Sequence, residues 1–393
     1  MRPIHARAIL ALTIFAAGCG GRFPLPTQAP AVRVVPTDKS YAMLATWTGL
    51  DGVTDVLITR GTGTQLFMLF NHGGSGGPSV ARGEVKLFPF TAPNPIGSPF
   101  FDPLATLFNP VAIASAQNKL FVLDRGDSCM AKYDPSRGTC EASTLHDTLR
   151  TSIILDYSST WRVREYPLVG GETLSTFTDT TFANVVGVAA DDQGNVYVSG
   201  TAVVLDTLQT DQRIRTRKFV SRIYRYSRGP KYPGVGDLYM PGTLSWHRDT
   251  TWVVLDGTGS SSILDPAQMN WTPLNGGAIF VADRGNNKAK LIGTSAPNLG
   301  YVKVDGSETP TGTNFSAPQC ATVDESGYLY IVDRGNRRVL RYDYAGNYIQ
   351  DVNVENNAQG QPLLDPVAVG VDDSLAYVAD HGRGQVIRYQ RRK

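Results

Sequence analysis

The stretch APQCATVDESGYLYIVDRGNRRVLRYDYAGNYI, from Ala317 to Ile349, carries the pattern that decides the fold. It contains a proline, a short apolar segment, an acidic turn, an alternating segment that ends in Asp333, a glycine turn, and a segment that ends in Arg341 and Tyr342. The stretch DPVAVGVDDSLAYVADHGRGQVIRY, from Asp365 to Tyr389, follows the same order. Two such copies indicate a repeat architecture whose unit is a small antiparallel sheet joined by tight turns.

Less complete copies precede these two, and they cover Tyr41–Phe70, Asn109–Asp134, Val185–Tyr226 and Gly276–Ile292. The underlying pattern, P-x-G-V-A-V-D-x-x-G-N-V-Y-V-x-D-x-G-N-x-R-V, resembles the NHL repeat of six-bladed β-propellers. The resemblance implies an all-β fold in which each repeat forms one blade of four antiparallel strands, from A at the centre to D at the rim. One blade cannot bury both of its faces, so the ring has to close to be stable.

The spacing of the repeats allows either six or seven blades. Asp283, Asp333 and Asp380 end equivalent segments about 50 residues apart, and dividing the body of the chain by this period allows seven. Six blades are favoured because the longer gaps contain turns and polar stretches, such as Thr139–Thr160 and Thr201–Lys218, rather than another complete motif.

The end of the chain predicts how the ring closes. The last repeat completes its third strand at Tyr389, and only Gln390–Lys393 follow, so this repeat lacks an outer strand. Ala31–Val35, AVRVV, is strand-like and precedes the first repeat. We therefore expect residues 31–35 to supply the missing strand to the propeller body, residues 41–393, since an open edge would be an aggregation hazard.

The N-terminus has the features of a targeting segment. Residues 1–18 combine a positive start with an apolar run, Ala8–Ala17, that is too short to span a membrane. The small residues before Cys19 resemble a bacterial lipobox, although Ala16 stands where that family has Leu. The resemblance implies cleavage before Cys19, lipidation of this residue, and an anchor in the outer membrane of the cell envelope. The proline-rich residues 19–40 are expected to form the lipidated start and an extended tether.

The remaining cysteines fit an oxidising compartment. Cys129 and Cys140 flank a predicted hairpin, and pairing of its strands would bring the two residues within disulfide range. Cys320 lies in an apolar run, which favours a buried small side chain over a reactive thiol.

A repeated basic residue is the candidate for ligand binding. Arg125, Arg284 and Arg334 each follow an aspartate at the predicted turn between strands B and C. Arg60 and His381 are assigned to the same register in the first and last repeats. Since the B–C turns of a propeller share one face, these five side chains should surround one mouth of the channel, where they could hold a carboxylate or phosphate. In the alternative, each arginine pairs with an aspartate of its own or the next blade and fixes the turn.

The sequence contains no catalytic or metal-binding constellation that stands out. The four histidines after the targeting segment do not have the spacing of a metal site, and they are His72, His146, His247 and His381. The formal net charge of +2 gives no strong field toward nucleic acid. We therefore expect a monomeric binding scaffold, anchored to the membrane through lipid, without a cofactor, for a protein, peptide or glycan ligand.

An enzyme is the alternative function. The peptidylglycine amidating lyases and the gluconolactonase-like hydrolases are related six-bladed propellers, and their metals sit in the central channel on histidine or carboxylate ligands. This resemblance implies a metal-dependent lyase or lactonase-type hydrolase, with a divalent metal in the channel, as the second hypothesis.

Overall fold

The computed structural model describes residues 40–59, 63–72, 83–90, 95–100, 107, 109–126, 133–134, 139–140, 161–170, 173–179, 181–207, 215–229, 246–353 and 361–392. For residues 133–134, 139–140, 205–207, 215–217 and 275 it describes the backbone alone. Across these ranges the regular structure consists of β-strands and short 3₁₀ turns, without an α-helix. No helix within them has the length and apolar character needed to cross a bilayer.

The first half of the chain forms three sheets. Strand β1 (Tyr41–Thr48) is the first strand and is followed by the four strands of blade 1, which are β2 (Val53–Ile58), β3 (Leu66–Asn71), β4 (Gly83–Phe88) and β5 (Ser98–Pro99). Blade 2 contains β6 (Pro110–Ala116), β7 (Lys119–Asp124), β10 (Arg162–Pro167) and β11 (Ser175–Phe177). A small hairpin of β8 (Tyr133–Asp134) and β9 (Thr139–Cys140) lies between β7 and β10 in the chain. Blade 3 contains β12 (Phe182–Ala190), β13 (Val196–Thr207), β14 (Arg215–Arg228), β15 (Trp246–Asp256) and the short parallel β16 (Ser262–Ile263).

The second half forms three more sheets. Blade 4 contains β17 (Pro266–Thr272), β18 (Ala278–Asp283), β19 (Lys288–Gly293) and β20 (Gly300–Val304). Blade 5 contains β21 (Pro318–Val323), β22 (Leu329–Asp333), β23 (Arg338–Tyr342) and β24 (Tyr348–Asp351). Blade 6 contains β25 (Pro366–Val371), β26 (Leu375–Asp380) and β27 (Gln385–Arg391), and β1 is its outer strand. The all-β propeller of six blades is therefore confirmed.

The A strands form the centre of the ring. Each packs against the A strand of the next blade, in the cyclic order β2, β6, β12, β17, β21, β25 and back to β2. Six clusters of buried apolar side chains follow the same order, one at each interface between neighbouring blades. The hydrophobic core is thus divided among the blade interfaces, and every blade depends on two neighbours for burial.

Buried aspartates fix the start of four blades. Asp124, Asp283, Asp333 and Asp380 end the B strands of blades 2, 4, 5 and 6, and all four are fully buried. Each accepts a backbone N–H from the segment that leads into strand A of its own blade, at 2.7–2.8 Å from Asn109, Leu264, Ser316 and Asp365 respectively. Each also has a basic partner within 4.0 Å, namely Arg162, Lys290, Arg338 and Arg383. The turn aspartates are therefore structural, as carboxylates buried with partners usually are.

The ring closes through an N-terminal strand, but this strand is not the predicted one. Strand β1 pairs antiparallel with β27, from Tyr41 opposite Arg391 to Thr48 opposite Gln385. The Tyr41 hydroxyl lies 2.8 Å from the hydroxyl of Tyr330 in blade 5. Residues 31–35, expected in this position, lie outside the described residues. The prediction failed because the repeat-like sequence of β1 was assigned to the first blade rather than the last.

Two other strand assignments also change. Val53–Ile58 is the innermost strand of blade 1, whereas its sequence was interpreted as strand B. Strands A, B and C of blade 1 are therefore β2, β3 and β4. In blade 2, the third strand is Arg162–Pro167, so the predicted repeat Asn109–Asp134 is interrupted by a long insertion that contains the β8–β9 hairpin.

We predict that Trp47→Ala strongly destabilises the propeller. Trp47 in β1 is fully buried, and its ring contacts Phe88 of blade 1 and Tyr377 of blade 6. Removing such a side chain should cost about 3–5 kcal/mol of unfolding free energy, measured by urea denaturation. Leu44→Ala, in the same strand but 44% exposed, is the control and should cost less than about 1 kcal/mol. Equal losses in the two variants would contradict a closing role for β1.

Candidate functional site

Polar side chains lie in the centre of the ring, where the A strands meet. Each A strand pairs irregularly with its B strand near its beginning, which is the signature of a β-bulge. Three of the six equivalent positions are polar or carry a thiol, and they are Asp55, Gln268 and Cys320. These three residues line one small cavity. Because A strands of five blades contribute to its wall, the cavity lies in the central channel.

Gln268 crosses the channel. Its Nε2 atom donates hydrogen bonds to the carbonyl oxygens of Thr54 in blade 1, at 3.0 Å, and Val111 in blade 2, at 3.4 Å. Blade 4, which carries Gln268, stands opposite blade 1 in a ring of six. The carboxamide therefore bridges the channel and joins blades that share no interface.

Asp55 is buried beside this bridge. One carboxyl oxygen accepts the N–H of Val56 at 2.8 Å, and the other accepts the N–H of Ile113 in blade 2 at 2.9 Å. Burial raises the pKa of the Asp55 carboxyl from its ordinary value of 3.8 to about 7. The two backbone hydrogen bonds favour the ionised form, but they offset only part of the cost of removing the charge from water.

Cys320 is buried as expected from its apolar surroundings in the sequence. Burial, together with the nearby charge of Asp55, raises the pKa of its thiol to about 12. A thiol with so high a pKa carries little thiolate at neutral pH and is a poor nucleophile. Cys320 is therefore a space-filling residue of the channel wall.

Two of the candidate arginines, Arg125 and Arg284, lie in the B–C turns of blades 2 and 4, on the same side of the ring. Arg125 donates its Nε–H to the carbonyl of Val185 in blade 3, at 2.7 Å. Arg284 forms a paired interaction with Asp265 of its own blade, with both N–O distances 2.7 Å. Burial lowers the pKa of Arg125, and the charge of Arg284 lowers it further.

Arg334 and His381 reach the following blade. Arg334 forms a paired salt bridge with Asp365, which leads into strand A of blade 6. The Nδ1 atom of His381 lies 3.0 Å from the carbonyl oxygen of Val53 in blade 1, so this nitrogen must carry the proton that is donated. Both side chains therefore link neighbouring blades on the B–C side. Whether they also contact a ligand stays a prediction.

The other candidate residues are not brought together with these. Arg60 lies outside the described residues, so its place at the B–C mouth stays a prediction. Cys19 and Cys129 also lie outside the described residues, and only the backbone of Cys140 is described, opposite Tyr133 in the β8–β9 hairpin. Among the described residues, no three His, Cys, Asp or Glu side chains are grouped to hold a metal ion.

The opposite mouth, on the A–B side, contains a second and larger cavity of about 180 Å³. Apolar side chains of blades 1 to 4 form much of its wall, including Leu57, Leu168 and Trp271. The turn residues Gln117 and Asp192 form its polar edge, where Gln117 donates to the Asp192 carbonyl at 2.9 Å. This cavity could not be predicted from the sequence, because its walls come from four separate repeats.

We predict that Asp55→Asn removes a pH dependence of stability. The folded state binds the Asp55 proton more tightly than the unfolded state, so protonation of Asp55 adds to the free energy of unfolding. This contribution is complete below pH 3.8 and is lost as pH rises through about 7. The loss is at most about 4 kcal/mol. Urea denaturation should therefore give a lower free energy of unfolding at about pH 8 than at about pH 5, in buffers whose only cation is N-methyl-D-glucamine. Asp192→Asn, at an exposed residue, is the matched control and should keep the wild-type difference in unfolding free energy between the two pH values. If Asp55→Asn keeps the same difference, the pH dependence does not come from Asp55.

Comparison with models of known protein families finds no match for this chain, and comparison with curated proteins finds none either. Among solved structures, two of virginiamycin B lyase from Staphylococcus aureus are similar to it. A catalytically inactive variant of that lyase with quinupristin has a TM-score of 0.45 and 9% identity, over 89% of this chain and 99% of the lyase chain. The selenomethionine-substituted lyase has a TM-score of 0.44 with the same identity and coverage. The likeness is distant, and no property of the lyase is transferred to this chain.

Proposed function

We propose that this chain is a non-catalytic propeller of the cell envelope that binds an anionic ligand or an acidic partner at its B–C mouth. The observation that carries the proposal is the set of B–C turn arginines that hydrogen bonds and salt bridges hold on one side of the ring, namely Arg125, Arg284 and Arg334. An arriving carboxylate or phosphate would accept paired N–H donors from these guanidinium groups.

The loops around this mouth support a binding role. The B–C connection of blade 2 runs from Arg125 to Trp161, and in blade 3 strands β13 and β14 extend far beyond the other B and C strands. Long connections on a rigid scaffold are common sites of binding. The blade 3 extension adds positive charge in its sequence, through Arg213, Arg215, Arg217 and Lys218.

The channel itself favours binding at the surface. Gln268 bridges the channel between blade 4 and blades 1 and 2. A ligand that enters from the B–C mouth would meet this amide before reaching the A–B side. The rim, where Arg125 and Arg284 lie, is therefore the better place for a ligand than the interior.

The envelope location rests on the N-terminal sequence. Residues 1–18 have the pattern of a signal peptide, and Cys19 follows small residues as in a lipobox. Several acyl chains at Cys19 would give stable anchoring, at about 0.8 kcal/mol per buried CH₂. The propeller would then act as a lipid-anchored monomer.

We predict that Cys19→Ser abolishes lipidation. Wild-type protein expressed in a bacterial host with a clickable palmitate analogue should be labelled and should sediment with membranes. The Cys19→Ser variant should lose both properties, because the acceptor thiol is gone. Cys320→Ser is the control and should be labelled like wild type, since Cys320 is buried in the channel. Labelling of the Cys19→Ser variant would rule out Cys19 as the lipidated residue.

We predict that Arg125→Gln weakens anion binding. The probe is a fluorescein-labelled hexaglutamate peptide, titrated against the purified full-length chain at low salt and followed by fluorescence anisotropy. Arg125→Gln and Arg284→Gln should each raise Kd about tenfold, because each removes one charge-assisted contact. Added salt should weaken wild-type binding, since exposed charges are screened.

A third variant separates site binding from net charge. Arg337 is exposed, lies at the end of the blade 5 B–C turn, and has a left-handed backbone (φ 53°) that asparagine tolerates well. Arg337→Asn removes the same charge from the same face and should change Kd less than about twofold. Equal weakening in all three variants, or no binding to wild type, would overturn the proposed function.

A further inference from the structure

The buried carboxyl group of Asp55 has no cationic partner among the described residues. Its two oxygens accept only the backbone N–H groups of Val56 and Ile113. The fully buried carboxylates that end the B strands differ, since Asp124, Asp283 and Asp333 each have an arginine or lysine within 4.0 Å. A charge that is buried without a counter-charge is costly, so the centre of the channel requires a positive charge or a proton.

A second polar group in the same place also lacks a partner. Oε1 of Gln268 is buried and has no hydrogen-bond donor among the described residues. The orientation of the carboxamide is fixed, because its Nε2 atom donates to the carbonyls of Thr54 and Val111. Reversing the amide would place an oxygen against two other oxygens. Oε1 is therefore an acceptor that points away from these carbonyls and has nothing to accept.

The cavity between these groups has the size of one small guest. Its volume is about 30 Å³, enough for a single water molecule or a dehydrated ion. Besides Asp55 and Gln268, its wall includes the side chains of Asn270, Cys320 and Thr322. Oxygen atoms of carboxylate, amide and hydroxyl groups are the donors that hard cations prefer. One carboxylate balances one positive charge, whereas calcium sites normally combine several carboxylates.

We propose that a monovalent cation of the size of Na⁺ binds in the central channel, between the carboxylate of Asp55 and Oε1 of Gln268. The ion neutralises the buried charge and gives the amide oxygen a partner. It thereby ties blade 1 to blade 4 across the axis, and Asp55 already contacts blade 2. This site is independent of the anion-binding function proposed for the B–C mouth, because it lies inside the channel and uses none of the arginines.

The test compares thermal unfolding of the full-length chain in NaCl and in N-methyl-D-glucamine chloride at equal ionic strength and constant pH. Sodium binds the folded state alone, so the melting temperature should rise by about 2 °C or more as Na⁺ replaces the organic cation, which is too large for the cavity. Crystals soaked in thallium(I) acetate should give an anomalous peak beside Asp55 and Gln268.

Variants identify the ligands. Asp55→Asn and Gln268→Leu should abolish the sodium effect, whereas Asp192→Asn, which removes an exposed carboxylate, should retain it. If Asp55→Asn fails to fold, Gln268→Leu and the thallium peak still decide the question. No difference between the two salts in wild type, or a channel peak that corresponds to water alone, would overturn the proposal. Stabilisation by CaCl₂ and not by NaCl would overturn the assignment to a monovalent ion.

Discussion

The hydrogen bond from the backbone before strand A to the buried aspartate at the end of strand B recurs in four of the six blades. In blade 5 it joins Ser316 to Asp333, and in blade 6 it joins Asp365 to Asp380. The contact fixes the point at which the chain enters the centre of the ring relative to its own hairpin. Because a one-residue shift would send every strand side chain to the opposite face, this contact sets the packing of each blade against its neighbours. The apolar clusters between blades depend on that register.

The same contact explains which repeats were visible in the sequence. Blades 5 and 6 contain the aspartate, the glycine turn and the proline in register, and the third strand of blade 6, predicted to end at Tyr389, ends at Arg391. Strand B of blade 1 ends in Asn71 instead, and the amide of Asn71 donates to the side chain of Asn109 at 2.6 Å. Without the aspartate, the segment Val53–Ile58 resembled a B strand. That shift displaced the closing strand from its predicted position.

The polar centre of the channel could not be found from the sequence, for a physical reason. Asp55 and Gln268 stand in mostly apolar A strands, and each has a hydrogen-bond partner in another blade, which the local sequence does not indicate. Thr54 and Gln268 are 214 residues apart and meet only because the ring closes. The arginines of the B–C turns were easier to find, since each follows the repeated aspartate. Their partners, such as Val185 and Asp365, belong to the next blade and became clear only in the fold.

The direction of strand β1 determines how the whole ring is presented. Ser40, the first described residue, accepts a hydrogen bond from the N–H of Arg392, and the neighbouring Arg391 contacts Ser374 in the A–B turn of blade 6. The chain therefore enters the propeller from the A–B side. The lipid anchor proposed at Cys19 would therefore join the ring on the side opposite the B–C turns, so the attachment itself would leave the mouth that carries Arg125 and Arg284 uncovered.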